Sequence, residues 1–145
     1  MKIYMIGSLR NPLVPTIAKQ LRVAFPTWEI FDDWHAAGPH ADDCWRDYEK
    51  DRGRSFIEAL SGHAAKNVFA FDKRHLDSSD AVVLVAPAGK SGHLELGYML
   101  GRGKPGFVLI DSPERWDVMY QFATGVTNDL DELSGMMRAA LTVTR

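Results

Sequence analysis

Short apolar runs recur along the chain and predict β-strands. The runs cover residues 2–6, 28–31, 81–85 and 107–110, and each leads into a polar or glycine-bearing turn. Residues 81–85 read Ala-Val-Val-Leu-Val without polar alternation. Such a run is typical of a strand whose two faces are both covered by helices, so we place it at the centre of a parallel sheet.

Helical patterns separate these runs. Apolar residues recur at helical spacing over residues 16–24, with Ile17, Leu21 and Val23, and helices are also predicted at about 55–70, 92–100 and 129–141. This alternation predicts an α/β fold, a doubly wound, flavodoxin-like parallel sheet with helices on both faces. Ligands of such sheets bind beyond the carboxyl ends of the strands. Function is therefore expected in the loops 7–15, 32–43, 86–92 and 111–116.

Composition narrows the class of protein. The chain has 145 residues, a length that predicts one domain spanning 1–145. Its formal charge of -2 and sequence pI of about 6.2 disfavour a nucleic acid polymer as partner and favour a small molecule. A single cysteine, Cys44, excludes an intrachain disulfide. With no signal-peptide or membrane-spanning pattern, the sequence predicts a cytoplasmic protein without membrane contact.

The turn after the first strand has groups that could bind an anion or a sugar. Gly7 would let the backbone approach a ligand, while Ser8 and Arg10 offer a hydroxyl and a guanidinium. The glycine spacing fits neither a P-loop nor a dinucleotide-binding turn, so an ordinary turn remains an alternative. In the second loop, Trp34 could stack on a nucleobase or pack in the core. The acidic and histidine residues around it lack metal-ligand spacing, and no metal or cofactor is predicted.

Glu95 stands out because it follows the central strand in the run Gly89-Lys90-Ser91-Gly92-His93-Leu94-Glu95-Leu96-Gly97-Tyr98. We expect it in the first turn of a helix, where the helix dipole would favour the ionised form that a nucleophile needs. A merely structural first-turn glutamate is the alternative. Gly92 and Gly97 each cost a helix interior roughly 1 kcal/mol, which suggests that a ligand or strand approaches closely.

Asp72, in Phe71-Asp72-Lys73-Arg74-His75, has two possible roles. It could pair with a neighbouring cation at the surface, or it could face the crevice and handle a proton. From the residues alone, the surface pairing is the favoured role.

These segments together resemble the nucleoside 2-deoxyribosyltransferase family, which includes the 2'-deoxynucleoside 5'-monophosphate N-hydrolases. The resemblance runs from Lys2 to about Leu133, and its most specific parts are residues 80–85, 92–98 and Gly103-Lys104-Pro105. It implies that Glu95 attacks the anomeric carbon to form a glycosyl-enzyme that a base or water resolves. It also implies that Tyr4 holds the nucleophilic carboxylate and that Asp72 protonates the departing base.

The resemblance extends to the substrate-binding positions, with two departures. The turn Gly7-Ser8-Leu9-Arg10 is similar to the 5'-phosphate-binding turn of the monophosphate N-hydrolases. Gly89 stands where the family commonly has aspartate or serine, so Ser91 or Lys90 would have to substitute. Tyr120 stands where family members present asparagine or serine to a neighbouring subunit. The resemblance implies a homodimer or a higher homo-oligomer with shared active sites.

The leading hypothesis from sequence is transfer of deoxyribose between nucleobases, on a nucleoside or its 5'-monophosphate. Hydrolysis is the runner-up. Both reactions use Glu95, and they differ only in whether a base or water accepts the sugar. A noncatalytic nucleotide-binding module is a third reading, and a general flavodoxin-like binding protein would leave Asp72 and Glu95 apart. Base preference, the sugar and the need for a phosphate depend on the pocket around Trp34, Leu9 and Tyr120.

Overall fold

Five parallel strands form the centre of the computed structural model, which describes residues 1–142. The strands are β1 (Lys2–Ile6), β2 (Glu29–Phe31), β3 (Ala81–Val85), β4 (Gly106–Leu109) and β5 (Gly125–Thr127). Their order in the sheet is β2-β1-β3-β4-β5, and all four pairings are parallel. This is the flavodoxin-like order, so the predicted fold class is confirmed.

Residues 1–142 contain six α-helices. They are α1 (Leu13–Ala24), α2 (Ala41–Asp51), α3 (Phe56–Leu60), α4 (His63–Asp77), α5 (Lys90–Gly101) and α6 (Leu130–Leu141), together with 3₁₀ helices at Asp33–Ala37 and Val118–Phe122. Within the described residues, none of the helices combines the length and apolarity needed to cross a membrane.

Alternate residues of the strands face the two helical layers. Ile3 and Met5 of β1 pack in one cluster with Val14 and Leu21 of α1 and with Leu133 of α6. Tyr4 and Ile6 pack in the other cluster, with Leu76 of α4 and with Leu96 and Met99 of α5. Because strand side chains alternate between faces, the position of Tyr4 in β1 directs it toward α4 and α5.

Several predicted boundaries are wrong. The helix predicted at 55–70 is two helices. A capping box between Ser55 and Glu58 starts α3, which ends at Leu60, and α4 begins at His63 after Gly62. Helix α2 replaces part of the loop predicted at 32–43. Its apolar residues Ala41, Cys44, Trp45 and Tyr48 recur at helical spacing, but the many charged residues between them made the segment resemble a loop. The short strand β5 was missed. By contrast, the helix predicted at 129–141 is α6, and its N-cap residue Asp129 accepts a hydrogen bond from the Glu132 amide at 2.8 Å.

Candidate active site

Three elements bring Tyr4, Asp72 and Glu95 together on one face of the sheet. Tyr4 comes from the middle of β1, Asp72 from α4 and Glu95 from α5. The Tyr4 hydroxyl interacts with both carboxyl groups, and burial together with their negative charges raises the pKa of Tyr4 well above its ordinary value. Tyr4 therefore stays protonated and can donate a hydrogen bond to a carboxylate.

The environment of Glu95 differs from the predicted one. Helix α5 begins at Lys90, so Glu95 is its sixth residue. The helix dipole acts mainly within the first turn, and Glu95 lies beyond that turn. Burial, followed by the negative charge of Asp72, raises the pKa of Glu95 to about 8, while the hydrogen bond from Tyr4 opposes this rise. The expectation of a first-turn, dipole-stabilised carboxylate is wrong: desolvation favours the protonated acid at neutral pH.

Asp72 shares this environment. Burial raises its pKa, and the hydrogen bond with Tyr4 lowers it. The surface pairing considered for Asp72 is made by Asp77 instead, which lies 2.6 Å from the Lys73 ammonium and also pairs with Arg102. Two neighbouring carboxyl groups with raised pKa values resist ionising together, so the pair can hold one proton and one charge.

Aromatic side chains adjoin this group, and little in the sequence indicates them. The His75 ring stacks on Phe31 at a centroid distance of 4.0 Å, and Phe31 lies 5.4 Å from Tyr4. Burial and the Lys2 ammonium lower the pKa of His75, whose Nδ1 lies 2.9 Å from the Lys2 Nζ. Phe71 packs against both rings and is 38 % exposed. The available signal was the position of Phe71 and His75 beside Asp72 on one helix.

The first loop is held in a defined turn. A Cβ on Gly7 would lie 2.5 Å from the Val14 Cγ2, so glycine is needed for close packing against α1. The Ser8 Oγ accepts a hydrogen bond from the Arg10 amide at 3.1 Å, and Leu9 is half-buried. Buried Asn11, which was not singled out in the sequence, donates to the carbonyls of Val85 and Pro87 and so ties this loop to the end of β3.

The Arg10 guanidinium already has anionic partners. It contacts both carboxylate oxygens of Asp42, at 3.0 and 3.3 Å, and one oxygen of Asp43 at 3.4 Å. These interactions raise the pKa of Arg10 further. A phosphate at this position would have to replace or join two carboxylates.

Trp34 has a structural role. Its indole nitrogen donates to the Met5 carbonyl at 2.8 Å, and its ring packs against the clusters on both faces of the sheet. The ring also lies 3.8 Å from the position of a Cβ on Gly7, beside the first loop. Trp34 is half-buried, so packing covers much of its ring and only the exposed part can contact a ligand.

The glycines near Glu95 have different surroundings. A Cβ on Gly92 would lie 3.0 Å from the Ile6 Cγ2 and 3.2 Å from the Ala88 Cβ, so the expected close approach is that of a strand. A Cβ on Gly97 would meet open space, so close packing does not explain this glycine. Gly89 precedes α5 and Ser91 is exposed in its first turn.

His93 connects two of the predicted site positions. Its Nδ1 lies 2.8 Å from the Gly89 carbonyl oxygen and its Nε2 lies 2.8 Å from the Tyr120 hydroxyl. A carbonyl oxygen only accepts, so Nδ1 donates to Gly89 while Nε2 forms a hydrogen bond with the Tyr120 hydroxyl. This hydrogen bond connects the 3₁₀ helix Val118–Phe122, which contains Tyr120, to one flank of α5.

A cavity of about 730 Å³ lies on that same flank of α5. Its lining is largely apolar and includes Leu96, Leu100, Met119 and Phe122, with His93 and Tyr120 at one side. None of Tyr4, Asp72 and Glu95 lines it. We place the candidate chemistry at these three residues because they combine half-buried carboxyl groups with raised pKa values, which the cavity lacks. Residues 1–142 contain no cluster of three or more histidine, cysteine or acidic side chains suited to a metal ion.

Comparisons with solved structures identify proteins of the same fold. A conserved protein from Enterococcus faecalis superposes with a TM-score of 0.66 at 14 % identity, over 97 % of this chain and 99 % of the other. A 2-deoxyribosyltransferase from Bacillus psychrosaccharolyticus gives 0.59 at 15 % identity, over 92 % and 90 %. The CMP N-glycosidase of Clostridium botulinum gives 0.53 at 10 % identity, over 94 % and 98 %.

These likenesses extend over nearly the whole of each chain and establish a shared fold. They agree with the family resemblance drawn from residues 80–98. No protein-family model matches the sequence, and no curated protein matches it either.

Proposed function

We propose that this chain cleaves the N-glycosidic bond of a nucleoside, with Glu95 as nucleophile, and transfers the deoxyribosyl group to a second nucleobase. The observation that carries the proposal is the convergence of Tyr4, Asp72 and Glu95 from three separate elements. Two half-buried carboxyl groups that share a tyrosine hydroxyl suit a reaction needing one nucleophile and one acid. The fold shared with a 2-deoxyribosyltransferase and an N-glycosidase supports the same choice.

In the first step, the ionised Glu95 carboxylate attacks the anomeric carbon and the bond to the base breaks. Positive charge develops on the sugar ring in this step, and a carboxylate beside it is stabilised by that charge. Glu95 is ionised when the proton held by the two carboxyl groups lies on Asp72, and the positive charge that develops in the transition state stabilises this form of Glu95 against the effect of burial. The hydroxyl of Tyr4 donates to the carboxylate and holds its orientation.

Asp72 is the proposed acid for the departing base. A base leaving as an anion is a poor leaving group, so a proton delivered as the bond breaks lowers the barrier. The raised pKa of Asp72 keeps a proton available closer to neutral pH than an ordinary aspartate would. In the second step, Asp72 as carboxylate accepts a proton from the incoming base, which attacks the glycosyl-Glu95 intermediate and restores the original configuration.

The predicted binding positions complete this proposal. The turn residues Gly7, Ser8 and Leu9 and the open part of Trp34 would border the sugar and base, with Gly89, Ser91 and Gly92 at the start of α5. Tyr120 contacts His93 and lines the cavity that none of Tyr4, Asp72 and Glu95 lines. Its proposed role is therefore at the site of a neighbouring subunit.

A homodimer with shared sites is part of the proposal. Helices α3 and α4 expose large apolar side chains that a monomer would leave in water, namely Phe56, Ile57, Leu60, Val68 and Phe69, each at least 50 % exposed. Phe69 belongs to the same helix as Asp72, so a subunit covering this surface would also approach the candidate site. We expect Phe69→Glu to shift the protein toward monomers in sedimentation velocity and to reduce base release. A wild-type protein that is active as a strict monomer would contradict this arrangement.

Incubation with a 2'-deoxynucleoside, with and without a second base, tests the reaction. We expect exchanged nucleoside in the presence of the second base, and loss of at least about 10³-fold in rate in Glu95→Ala. Glu114→Gln, which changes an exposed loop glutamate, is the control and should retain activity. Full cleavage by Glu95→Ala would refute the mechanism. Free sugar without exchanged nucleoside would instead favour hydrolysis, the reaction named for the Clostridium botulinum neighbour.

A further inference from the structure

Arg10 lies in the loop that follows β1, at the carboxyl end of the sheet where ligands of this fold bind. Its guanidinium is a two-pronged donor that suits a carboxylate or a phosphate equally well. Here Asp42 binds the guanidinium in a bidentate manner, with its two oxygens at 3.0 and 3.3 Å from the two terminal nitrogens. The cation that the sequence offers for a phosphate is thus already bound by a carboxylate from another element.

The partner carboxylates are held in place by α2. Asp42 and Asp43 lie in the first turn of this helix, where their negative charges are favoured by the helix dipole. Asp43 is shared, since it also lies 3.2 Å from the Arg46 guanidinium. Arg46 in turn pairs with Asp47 at 3.0 Å. Asp42 is therefore the carboxylate principally committed to Arg10, and the surroundings of Arg10 are more acidic than basic.

We propose that Asp42 is a specificity-determining residue that makes the enzyme select nucleosides without a 5'-phosphate, by occupying the guanidinium of Arg10. This inference rests on the proposed glycosidic function and specifies its substrate class. A 5'-phosphate that reached Arg10 would displace a bidentate carboxylate and remain beside the charges of both Asp42 and Asp43. A neutral 5'-hydroxyl meets no such repulsion, and it can accept a hydrogen bond from the Ser8 hydroxyl of the same turn.

The test compares a 2'-deoxynucleoside with its 5'-monophosphate as substrates of wild type and of Asp42→Asn. The asparagine keeps the size of the side chain and removes its charge. We expect wild type to have the higher kcat/KM for the nucleoside, and Asp42→Asn to raise the monophosphate-to-nucleoside ratio of kcat/KM by about tenfold or more. Adding Arg10→Gln to Asp42→Asn should reverse this gain, because the phosphate would then lack its cation.

Asp47→Asn is the matched control. It removes an exposed carboxylate from the same helix, one that pairs with Arg46 and not with Arg10. We expect it to leave the substrate ratio near that of wild type. A wild type that prefers the monophosphate, or an equal change of the ratio in Asp42→Asn and Asp47→Asn, would overturn the role given to Asp42.

Titration calorimetry with inorganic phosphate separates this inference from the proposed reaction. We expect Asp42→Asn to bind phosphate at least about tenfold more tightly than wild type, and Asp42→Asn/Arg10→Gln to lose that binding. This result would support the role of Asp42 even if no substrate released its base, an outcome that would refute only the proposed reaction. Equal phosphate affinity in wild type and Asp42→Asn would overturn the inference even if glycosidic cleavage depended on Glu95.

Discussion

Replacing Glu95 by glutamine should change how the stability of the protein depends on pH. Glutamine has nearly the shape of glutamic acid and can still accept a hydrogen bond from Tyr4, but it does not ionise. In wild type, the folded protein holds the Glu95 proton up to a pKa of about 8, whereas an ordinary glutamate releases it near 4.5. Between these values the folded state binds more protons than the unfolded state, so raising the pH favours unfolding.

The size of the effect follows from the shift. Each pKa unit corresponds to about 1.4 kcal/mol, so a rise from 4.5 to about 8 amounts to roughly 5 kcal/mol of stability lost by wild type across this window. The loss is absent below the lower value and complete above the upper one. Glu95→Gln has no such loss. Its free energy of unfolding relative to wild type should therefore increase by about 1.4 kcal/mol per pH unit within the window and then level off.

Urea denaturation of both proteins at several pH values from 4.5 to 9 measures this difference. Titration of other groups largely cancels because it is common to both proteins. In an Asp72→Asn background the window should narrow, because the charge of Asp72 is the second cause of the raised pKa. A stability difference that stays constant across the pH range would refute the reasoning and would mean that Glu95 is ionised in the free protein at neutral pH.

Two further predictions concern α5 and Tyr4. Gly92→Ala should lower the free energy of unfolding by about 1–3 kcal/mol, because its Cβ would press on Ile6 and Ala88, whereas Gly97→Ala should raise it by up to about 1 kcal/mol in open space; equal effects in thermal unfolding would contradict the packing. Tyr4→Phe removes the hydrogen bond that lowers the pKa of Glu95, so kcat should fall and the acidic limb of its pH profile should move to higher pH. An unchanged profile would show that Tyr4 only packs.

Much of the fold could be predicted because its signals are local. The apolar run 81–85 and the alternation of strands and helices indicate a doubly wound sheet, and Asp129 marks the start of α6. The boundaries near the site were harder to predict. Helix α2 has apolar residues at helical spacing, but they lie among many charged residues, and the break between α3 and α4 falls at Ser61 and Gly62 without a proline. The start of α5 at Lys90 could not be read from glycines that occur on both sides of Glu95.

By itself, the sequence determined the fold class. Through the family resemblance, it also predicted that Tyr4, Asp72 and Glu95 form one catalytic group. Periodicity and motifs are properties of neighbouring residues, so they are visible without coordinates. Only the tertiary structure decided the charge state of that group, because desolvation depends on what α4, α5 and β1 exclude from water. It also decided that Arg10 is bound by Asp42, a contact across 32 residues that no local pattern could indicate. The charge state of a group depends on the residues that surround it in three dimensions. The sequence identifies the ionisable groups but not which of them are in contact.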